Sequence, residues 1–177
     1  MRIDLHKLQG QREHFDRRFE PAAFEPQEED YRVAAPVVLS MDVENAGGDV
    51  FGVVGHAATR LEVACCRCLE PFEIDVDAQF ELRYIPATEN TGEGEREIAE
   101  DDLTTAFYRE GMLDVFEMLR EQFQLALPMK PLHDEACRGL CMECGANLNR
   151  TDCGHQPVWK DPRLAPLAGL LNRSKEN

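Results

Sequence analysis

Cysteine and histidine are the residue types in this sequence with the clearest chemical potential: there are seven cysteines and five histidines. Two pairs of cysteines have the spacing C-x-x-C, Cys65 with Cys68 and Cys141 with Cys144. A tight turn between two such cysteines brings both thiolates onto one metal ion, and Gly145, directly after the second pair, suits the left-handed backbone of that turn. The spacing therefore predicts metal binding through sulfur.

Disulfide bonding is the alternative use of so many cysteines. Residues 1–10 lack the unbroken apolar core of a secretory signal, and no apolar run approaches the roughly 18–20 residues that cross a bilayer. We therefore expect a soluble cytoplasmic protein, whose reducing surroundings keep thiols unpaired. Metal binding then accounts for the cysteines, with Cys66 left as a spare thiol that we expect to be a small buried hydrophobe.

The ligands divide most simply between two zinc ions. The two C-x-x-C pairs are separated by 141 − 68 − 1 = 72 residues, far more than the roughly 12–20 residues of one compact finger. We predict two structural zinc sites, each with three sulfurs and one nitrogen. The first site comprises Cys65, Cys68, His133 and Cys137, and the second comprises Cys141, Cys144, Cys153 and His155. A rival arrangement joins the two C-x-x-C pairs in one ribbon-like four-cysteine site.

A fully liganded zinc ion predicts a structural role, because no position is open for water or substrate. A zinc deaminase would need a proline directly before its C-x-x-C, where this sequence has Leu140. A thioredoxin-type C-x-x-C lies between a strand and a helix, whereas Cys68 is followed by residues 69–71 and another predicted strand. No phosphate-binding loop or nucleophile elbow occurs. We expect no enzymatic activity and no small-molecule substrate, and we expect His6, His14 and His56 to be ordinary histidines.

The elements that position these ligands begin with a sheet. Alternating apolar and polar residues from Glu73 to Ile85 predict a strand with one buried face. Two earlier strands, Val37 to Glu44 and Val50 to Ala64, are joined across residues 45–48, whose asparagine and glycines suit a hairpin turn. The pattern predicts an antiparallel β-sheet, either a meander or a partly open barrel.

Helices complete an α+β fold. Apolar residues spaced three or four apart predict an amphipathic helix over residues 114–127, with Asp114 as its N-cap. An exposed acidic loop is expected at residues 86–97, and a short helix at residues 163–171. We therefore predict an antiparallel sheet packed with one or two helices, plus a small C-terminal zinc-binding subdomain. The predicted division is a β-rich domain, 1–132, and a cysteine-rich segment with the short helix, 133–177.

Charge is unevenly distributed along the chain. The 34 acidic and 19 basic residues give a net charge of −15. The last fifty residues hold seven bases and six acids, so residues 1–127 carry 12 − 28 = −16. Nucleic acid repels such an acidic surface. The near-neutral cysteine-rich end is therefore better suited to contact RNA, whereas the acidic part suits a basic protein.

Four phrases resemble motifs of the YceD-like family, the large ribosomal RNA subunit accumulation proteins. Residues 65–72 resemble C-x-R-C-L-x-x-F, and residues 125–132 resemble L-A-L-P-x-x-P-L. Residues 139–149 are similar to G-L-C-x-x-C-G-x-N-L-N, and residues 161–164 to D-P-R-L. In the family's cysteine-rich members, cysteines usually stand where this chain has His133 and His155, while other members lack these cysteines, so the metal is not essential to the family's shared activity.

This resemblance implies a ribosome biogenesis factor that acts in the accumulation or processing of large-subunit ribosomal RNA. Its expected partners are the ribosomal RNA precursor, or ribosomal and assembly proteins, and no membrane. Direct RNA contact would use basic residues near the metals. These are Arg67, Lys130, Arg138, Arg150, Lys160 and Arg163. The alternative is an acidic adaptor that binds a ribosomal protein or assembly enzyme without touching RNA.

Overall fold

The computed structural model describes residues 1–8, 12–25, 30–87 and 104–155. Within these ranges the chain forms strands, one α-helix and two short 3-10 helices, at Leu5–Leu8 and Pro21–Phe24. The strands are β1 (Arg2–Asp4), β2 (Arg12–Phe19), β3 (Arg32–Val33), β4 (Val37–Gly47), β5 (Val50–Ala64), β6 (Pro71–Pro86), β7 (Thr105–Tyr108) and β8 (Met112–Asp114), and the α-helix is α1 (Val115–Ala126).

The predicted meander is confirmed by β4, β5 and β6, which pair in sequence order and antiparallel. The turn between β4 and β5 forms as its residue types predict. The side chain of Asn45 accepts a hydrogen bond from the backbone N–H of Gly47 at 2.7 Å, and Gly47 and Gly48 both have positive φ. A backbone in this conformation disfavours residues with a Cβ, so the glycines define the end of the hairpin.

The sheet is larger than predicted and is not wholly antiparallel. Its order is β2-β4-β5-β6-β7, with β3 also paired to β5. The prediction of an antiparallel sheet was wrong at one edge, because β7 runs parallel to β6. A parallel neighbour needs a connection of about a dozen residues or more, and 105 − 86 − 1 = 18 residues separate these strands. Among the described strands β2 and β7 do not pair with each other, so the sheet is open rather than a barrel.

The buried face of the sheet carries the core. In β6 the residues Val76, Ala78, Phe80 and Tyr84 are buried, as their alternation predicts. Helix α1 packs against β6 and buries Phe123 completely, along with its other core-facing residues. Burial of these side chains from water is the main force that holds the helix on the sheet.

The helix begins as predicted. The Asp114 carboxylate accepts hydrogen bonds from the backbone N–H groups of Phe116 at 3.0 Å and Glu117 at 3.4 Å, which satisfies two donors that a helix otherwise leaves unpaired. The helix predicted at 163–171 and most of the loop predicted at 86–97 lie outside the described residues. In the part of the chain that the structure describes, no helix has the length and apolar character needed to cross a membrane.

Candidate metal centres

The two C-x-x-C pairs lie in turns of the same construction. After β5, the Leu69 N–H donates to the Cys65 carbonyl oxygen at 2.8 Å, and the Cys65 N–H donates to Glu70 at 2.9 Å. The second turn repeats both bonds: Gly145 N–H to the Cys141 carbonyl oxygen at 2.9 Å, and Cys141 N–H to Ala146 at 2.8 Å. We name residues 65–70 the first knuckle and residues 141–146 the second knuckle. Each turn holds its two cysteines on one side, as metal binding requires.

The residue after each C-x-x-C pair is left-handed in both knuckles. Gly145 has φ +72° and Leu69 has φ +60°. A residue with a Cβ is disfavoured there by about 1–2 kcal/mol, so the first knuckle stores a strain that the glycine of the second knuckle avoids. The sequence signal that predicted the second turn, its glycine, is absent from the first.

The first cluster joins the end of β5 to the segment that follows helix α1. It contains Cys65, Cys68, His133 and Cys137, whose ligand atoms all lie within 4.8 Å of one another. The Sγ atoms of Cys65 and Cys137 are 3.8 Å apart, and Cys68 Sγ is 3.5 Å from His133 Nδ1. The three cysteines are buried, whereas His133 is exposed. Residues more than sixty positions apart therefore meet in one site.

Two thiols of the first cluster have pKa values that are shifted in opposite directions. Burial alone would raise the pKa of Cys65, but backbone N–H groups, led by that of His133, outweigh it and lower this pKa to about 5. Burial, together with the neighbouring Cys65 and Cys137 sulfurs, raises the pKa of Cys68 to about 11. Three thiolates in this space would repel one another, and a divalent metal ion bound between them would offset that repulsion.

The second cluster lies within the second knuckle and the loop after it. It contains Cys141, Cys144, Cys153 and His155, again within 4.8 Å of one another, and Cys141 Sγ is 3.7 Å from His155 Nδ1. Backbone N–H groups, led by that of Cys144, lower the pKa of Cys141 to about 6. This cluster is more exposed than the first, with only Cys141 buried.

These separations match the edges of a tetrahedron around one ion. With metal–sulfur bonds of about 2.3 Å, two ligand sulfurs lie about 3.8 Å apart, and a sulfur and a histidine nitrogen about 3.5 Å apart. The corresponding separations are 3.8 Å for Cys65 and Cys137, 3.5 Å for Cys68 and His133, and 3.7 Å for Cys141 and His155. Both clusters could therefore hold a metal ion, and the two C-x-x-C pairs belong to different clusters.

Two of the predicted RNA-binding arginines make contacts within the protein. The guanidinium Nη1 of Arg67 donates to the carbonyl oxygens of Glu135 at 2.8 Å and Cys137 at 2.9 Å. Arg150 forms an ion pair with Glu70. Both arginines connect the first knuckle to the C-terminal segment, a structural use that spacing alone did not suggest.

The other predicted RNA-binding residues fall into two groups. Lys130 and Arg138 are exposed, and neither side chain forms a hydrogen bond or ion pair with another described residue. Lys160 and Arg163 lie outside the described residues. Among the predicted RNA-binding residues that the structure describes, Lys130 and Arg138 are therefore the two whose side chains make no hydrogen bond or ion pair with another described residue.

Two further features near the clusters were not expected. Cys66 is exposed, so the expectation that it would be buried was wrong; the knuckle turns its side chain away from the metal ligands. Asn149 donates a hydrogen bond from Nδ2 to Cys137 Sγ at 3.3 Å. The sequence signal that could have pointed to Asn149 is its position in the N-L-N phrase after the second C-x-x-C.

Several known proteins are similar to this chain over part of its length. "Large ribosomal RNA subunit accumulation protein YCED homolog 1, chloroplastic" of Zea mays is 27% identical over 158 residues, covering 77% of this chain and 54% of the relative. Its Arabidopsis thaliana counterpart is 31% identical over 64 residues, covering 36% and 20%. A Mycobacterium leprae protein is 29% identical over 141 residues, covering 77% and 60%. No solved structure matches.

The chain spans about half the length of the maize relative. The sequence model of the family described as "Large ribosomal RNA subunit accumulation protein YceD" matches residues 53–171. That match covers 171 − 53 + 1 = 119 of the 177 residues. It begins within β5 and includes both knuckles and all eight residues of the two clusters. The chain belongs to the YceD family of large ribosomal RNA subunit accumulation proteins.

Proposed function

We propose that the protein is a non-enzymatic ribosome biogenesis factor that promotes the accumulation or processing of large-subunit ribosomal RNA and carries two structural zinc ions. The observation that carries this proposal is the family match over residues 53–171, which contains both clusters. The proposed location is the cytoplasm, where thiols stay reduced. All seven cysteines are free in the structure, in keeping with such a compartment.

Depletion of the protein in its own host tests the RNA role. We expect the ratio of large-subunit to small-subunit ribosomal RNA to fall, and the wild-type gene to restore it. A ratio that stays unchanged after depletion would refute the proposal. A Cys66→Ser variant should restore the ribosomal RNA ratio as well as the wild type does, because Cys66 lies in the first knuckle but outside both clusters.

The donor set supports zinc as the metal. Three sulfurs and one histidine nitrogen in a tetrahedron form a common structural zinc site. Elemental analysis of the purified protein tests the identity and the number of ions. Two zinc ions per chain would support two separate sites, and one would mean that only one of the two clusters holds an ion, since the rival ribbon-like site joins cysteines that lie in different clusters. No zinc would overturn this part of the proposal.

The closed arrangement of both clusters supports a structural rather than a catalytic metal. Residues 133–135 have the order H-x-E found in zinc deaminases, but those enzymes use three protein ligands and a bound water. Here His133 lies beside three cysteines, so four protein donors would complete the coordination of one ion. That arrangement would leave no position for a water that the ion could activate.

Lys130 and Arg138 are the proposed RNA contacts that the structure describes, and Lys160 and Arg163 extend the same proposal. Both described side chains are exposed near the first cluster, where the chain is no longer acidic overall. Exposed lysine and arginine bind phosphates and release counterions, which makes such binding sensitive to salt. Arg67 and Arg150 keep further donors beyond their internal bonds, and they remain in the proposed footprint.

Salt-dependent binding tests this footprint. We expect a Lys130→Ala/Arg138→Ala variant to bind a ribosomal RNA precursor fragment more weakly, with a salt slope reduced by about 1 for each lost phosphate contact. A Lys7→Ala/Arg18→Ala variant is the matched control, because it removes the same two charge types from exposed sites in the acidic part. Identical affinity and slope in all three proteins would exclude Lys130 and Arg138 from the footprint.

The alternative is an acidic adaptor that binds a basic ribosomal protein or assembly enzyme. The wet face of β6 favours it, because Glu73, Asp75, Asp77 and Glu81 are all exposed along one strand; Arg60 forms ion pairs with Glu73 and Asp75 but with neither Asp77 nor Glu81. Such a row attracts a basic surface and speeds its association. Affinity capture with and without nuclease separates the two functions. An adaptor retains its partner after RNA is digested, whereas an RNA-bound factor loses it.

A further inference from the structure

The two proposed zinc sites share a contact face. The backbone N–H of Leu140, next to the second knuckle, donates to the Arg67 carbonyl oxygen in the first knuckle at 3.1 Å. Gly139 allows this approach, because a Cβ at that position would lie only 3.0 Å from the same oxygen. The ion pair between Arg150 and Glu70 spans the same face. The first knuckle therefore contacts the residues that flank the second knuckle directly, rather than through the sheet.

Asn149 extends the contact between the two sites to Cys137, a predicted metal ligand of the first cluster. Asn149 belongs to the loop between Cys144 and Cys153 of the second cluster, yet its Nδ2 donates to Cys137 Sγ of the first cluster at 3.3 Å. Its Oδ1 accepts a hydrogen bond from the backbone N–H of Arg138 at 2.7 Å. The amide is thus held at both ends, with its donor directed at the sulfur.

The loop that holds Asn149 is fixed by hydrogen bonds rather than by buried apolar side chains: the Leu148 N–H donates to the Gly139 carbonyl oxygen at 2.9 Å, and the Arg150 and Thr151 N–H groups donate to that of Asn147 at 3.1 and 3.0 Å. The Asn147 side chain accepts bonds from the Asn149 N–H at 2.9 Å and from Nδ2 at 3.0 Å. The stretch 141–155 buries only Cys141. A segment that buries so little apolar surface depends on its metal to fold. The position of Asn149 therefore depends on whether the second site is filled.

We propose that the two zinc sites bind cooperatively, and that Asn149 transmits the coupling between them. This inference rests on the two zinc ions of the proposed function. A hydrogen bond to sulfur stabilises the thiolate, which is the form that binds metal. Filling the second site fixes Asn149 against Cys137 and so raises the zinc affinity of the first. By thermodynamic linkage, filling the first site raises the affinity of the second by the same factor.

The expected coupling is about tenfold or more. Loss of a hydrogen-bonding partner of a metal ligand commonly weakens metal binding about 10–100-fold. The coupling factor is the overall constant for binding two zinc ions to the wild type, divided by the product of two single-site constants. Cys153→Ser isolates the first site and Cys68→Ser isolates the second. Competition titration of the full chain against a zinc chelator measures all three constants.

Variants at Asn149 keep all eight ligands and test its role. We expect Asn149→Ala to bring the overall two-zinc constant down to within about threefold of the product of the single-site constants. Asn149→Asp keeps the acceptor for the Arg138 N–H but loses the donor to sulfur, so we expect it to lose the coupling as well. Thr151→Ala, an exposed change in the same loop, should retain the wild-type constant.

The possible outcomes separate this inference from the proposed function. A wild type that binds two zinc ions with a coupling factor of one would overturn the coupling but leave the two structural ions in place. A wild type that binds no zinc would overturn both. Unchanged two-zinc binding in Asn149→Ala would remove Asn149 from the coupling. If Cys68→Ser proves unfolded, the comparison of Asn149→Ala with Thr151→Ala still decides, because both retain every ligand.

Discussion

Loss of the first zinc ion is expected to destabilise the sheet far more than loss of the second. The first cluster closes a loop of 137 − 65 + 1 = 73 residues, from the end of β5 across β6 and α1 to Cys137. The second closes only 155 − 141 + 1 = 15 residues, none of them in the sheet. The perturbations that separate these effects are Cys68→Ser and Cys153→Ser.

Loop closure gives the size of the first effect. A cross-link stabilises a protein mainly by restricting the unfolded chain, by about 4 kcal/mol for a loop of this size. Cys68→Ser should therefore lower the free energy of unfolding of the sheet by up to about 4 kcal/mol in saturating zinc. Cys153→Ser acts on the sheet only through a tenfold weaker first site, a loss of about 1.4 kcal/mol, and mainly disorders residues 141–155.

Urea unfolding followed by far-ultraviolet circular dichroism, with zinc in excess, measures these differences. Cys66→Ser is the control, because this exposed neighbour of two ligands belongs to neither cluster, and its midpoint should match that of the wild type. The reasoning would be refuted if Cys68→Ser and Cys153→Ser shifted the midpoint equally. In a chelator the wild type should fall to the stability of Cys68→Ser, since both then lack the first ion.

Two further perturbations probe local geometry. Gly145→Ala places a Cβ on a left-handed backbone that has open space around it, which costs about 1–2 kcal/mol, so zinc affinity at the second site should fall about 5–30-fold. Gly52→Ala in β5 is the control. Equal zinc affinities in the two variants would contradict the predicted backbone strain. Asp114→Ala removes the helix cap, so the free energy of unfolding should fall by about 1 kcal/mol. The pKa of Asp114 is lowered because Arg2 and two backbone N–H groups outweigh the opposing effect of burial. The cap's contribution to stability should therefore be present above about pH 4 and be lost as the pH falls through this lowered pKa. Thermal unfolding of the wild type and of Asp114→Ala measures this contribution as a difference in stability. A difference that did not shrink in acid would contradict the prediction.

The sequence could predict the elements whose periodicity is long and regular. Alternation over β6 and the three-to-four spacing over α1 define a buried face in each, so both were predicted to within two residues. Strand β2 could not be predicted in this way. Of its eight residues only Phe15 is buried, and its place at the edge of the sheet depends on pairing with β4 rather than on a pattern of its own.

The grouping of the candidate ligands was predictable from spacing, because residue type and separation limit which atoms can share an ion. The contacts that bring the two clusters together were not. Arg67, Asn149 and the pair of Arg150 with Glu70 act through long-range hydrogen bonds between ordinary surface residue types. Such contacts appear only once the chain is folded. For this reason, charge alone selected Arg67 and Arg150 as RNA contacts without showing that both also make contacts within the protein.

The ligands of the first site are far apart along the chain, so they are synthesised at different times. Protein synthesis adds about 5–20 residues per second, so Cys68 leaves the ribosome several seconds before His133. During this interval the nascent chain displays half of a metal site, a thiol pair that cannot complete a tetrahedron by itself. An ion at the proposed site would be retained only after helix α1 has been made and the segment behind it has returned to the end of β5. Zinc retention at the first site would thus distinguish finished chains from truncated ones.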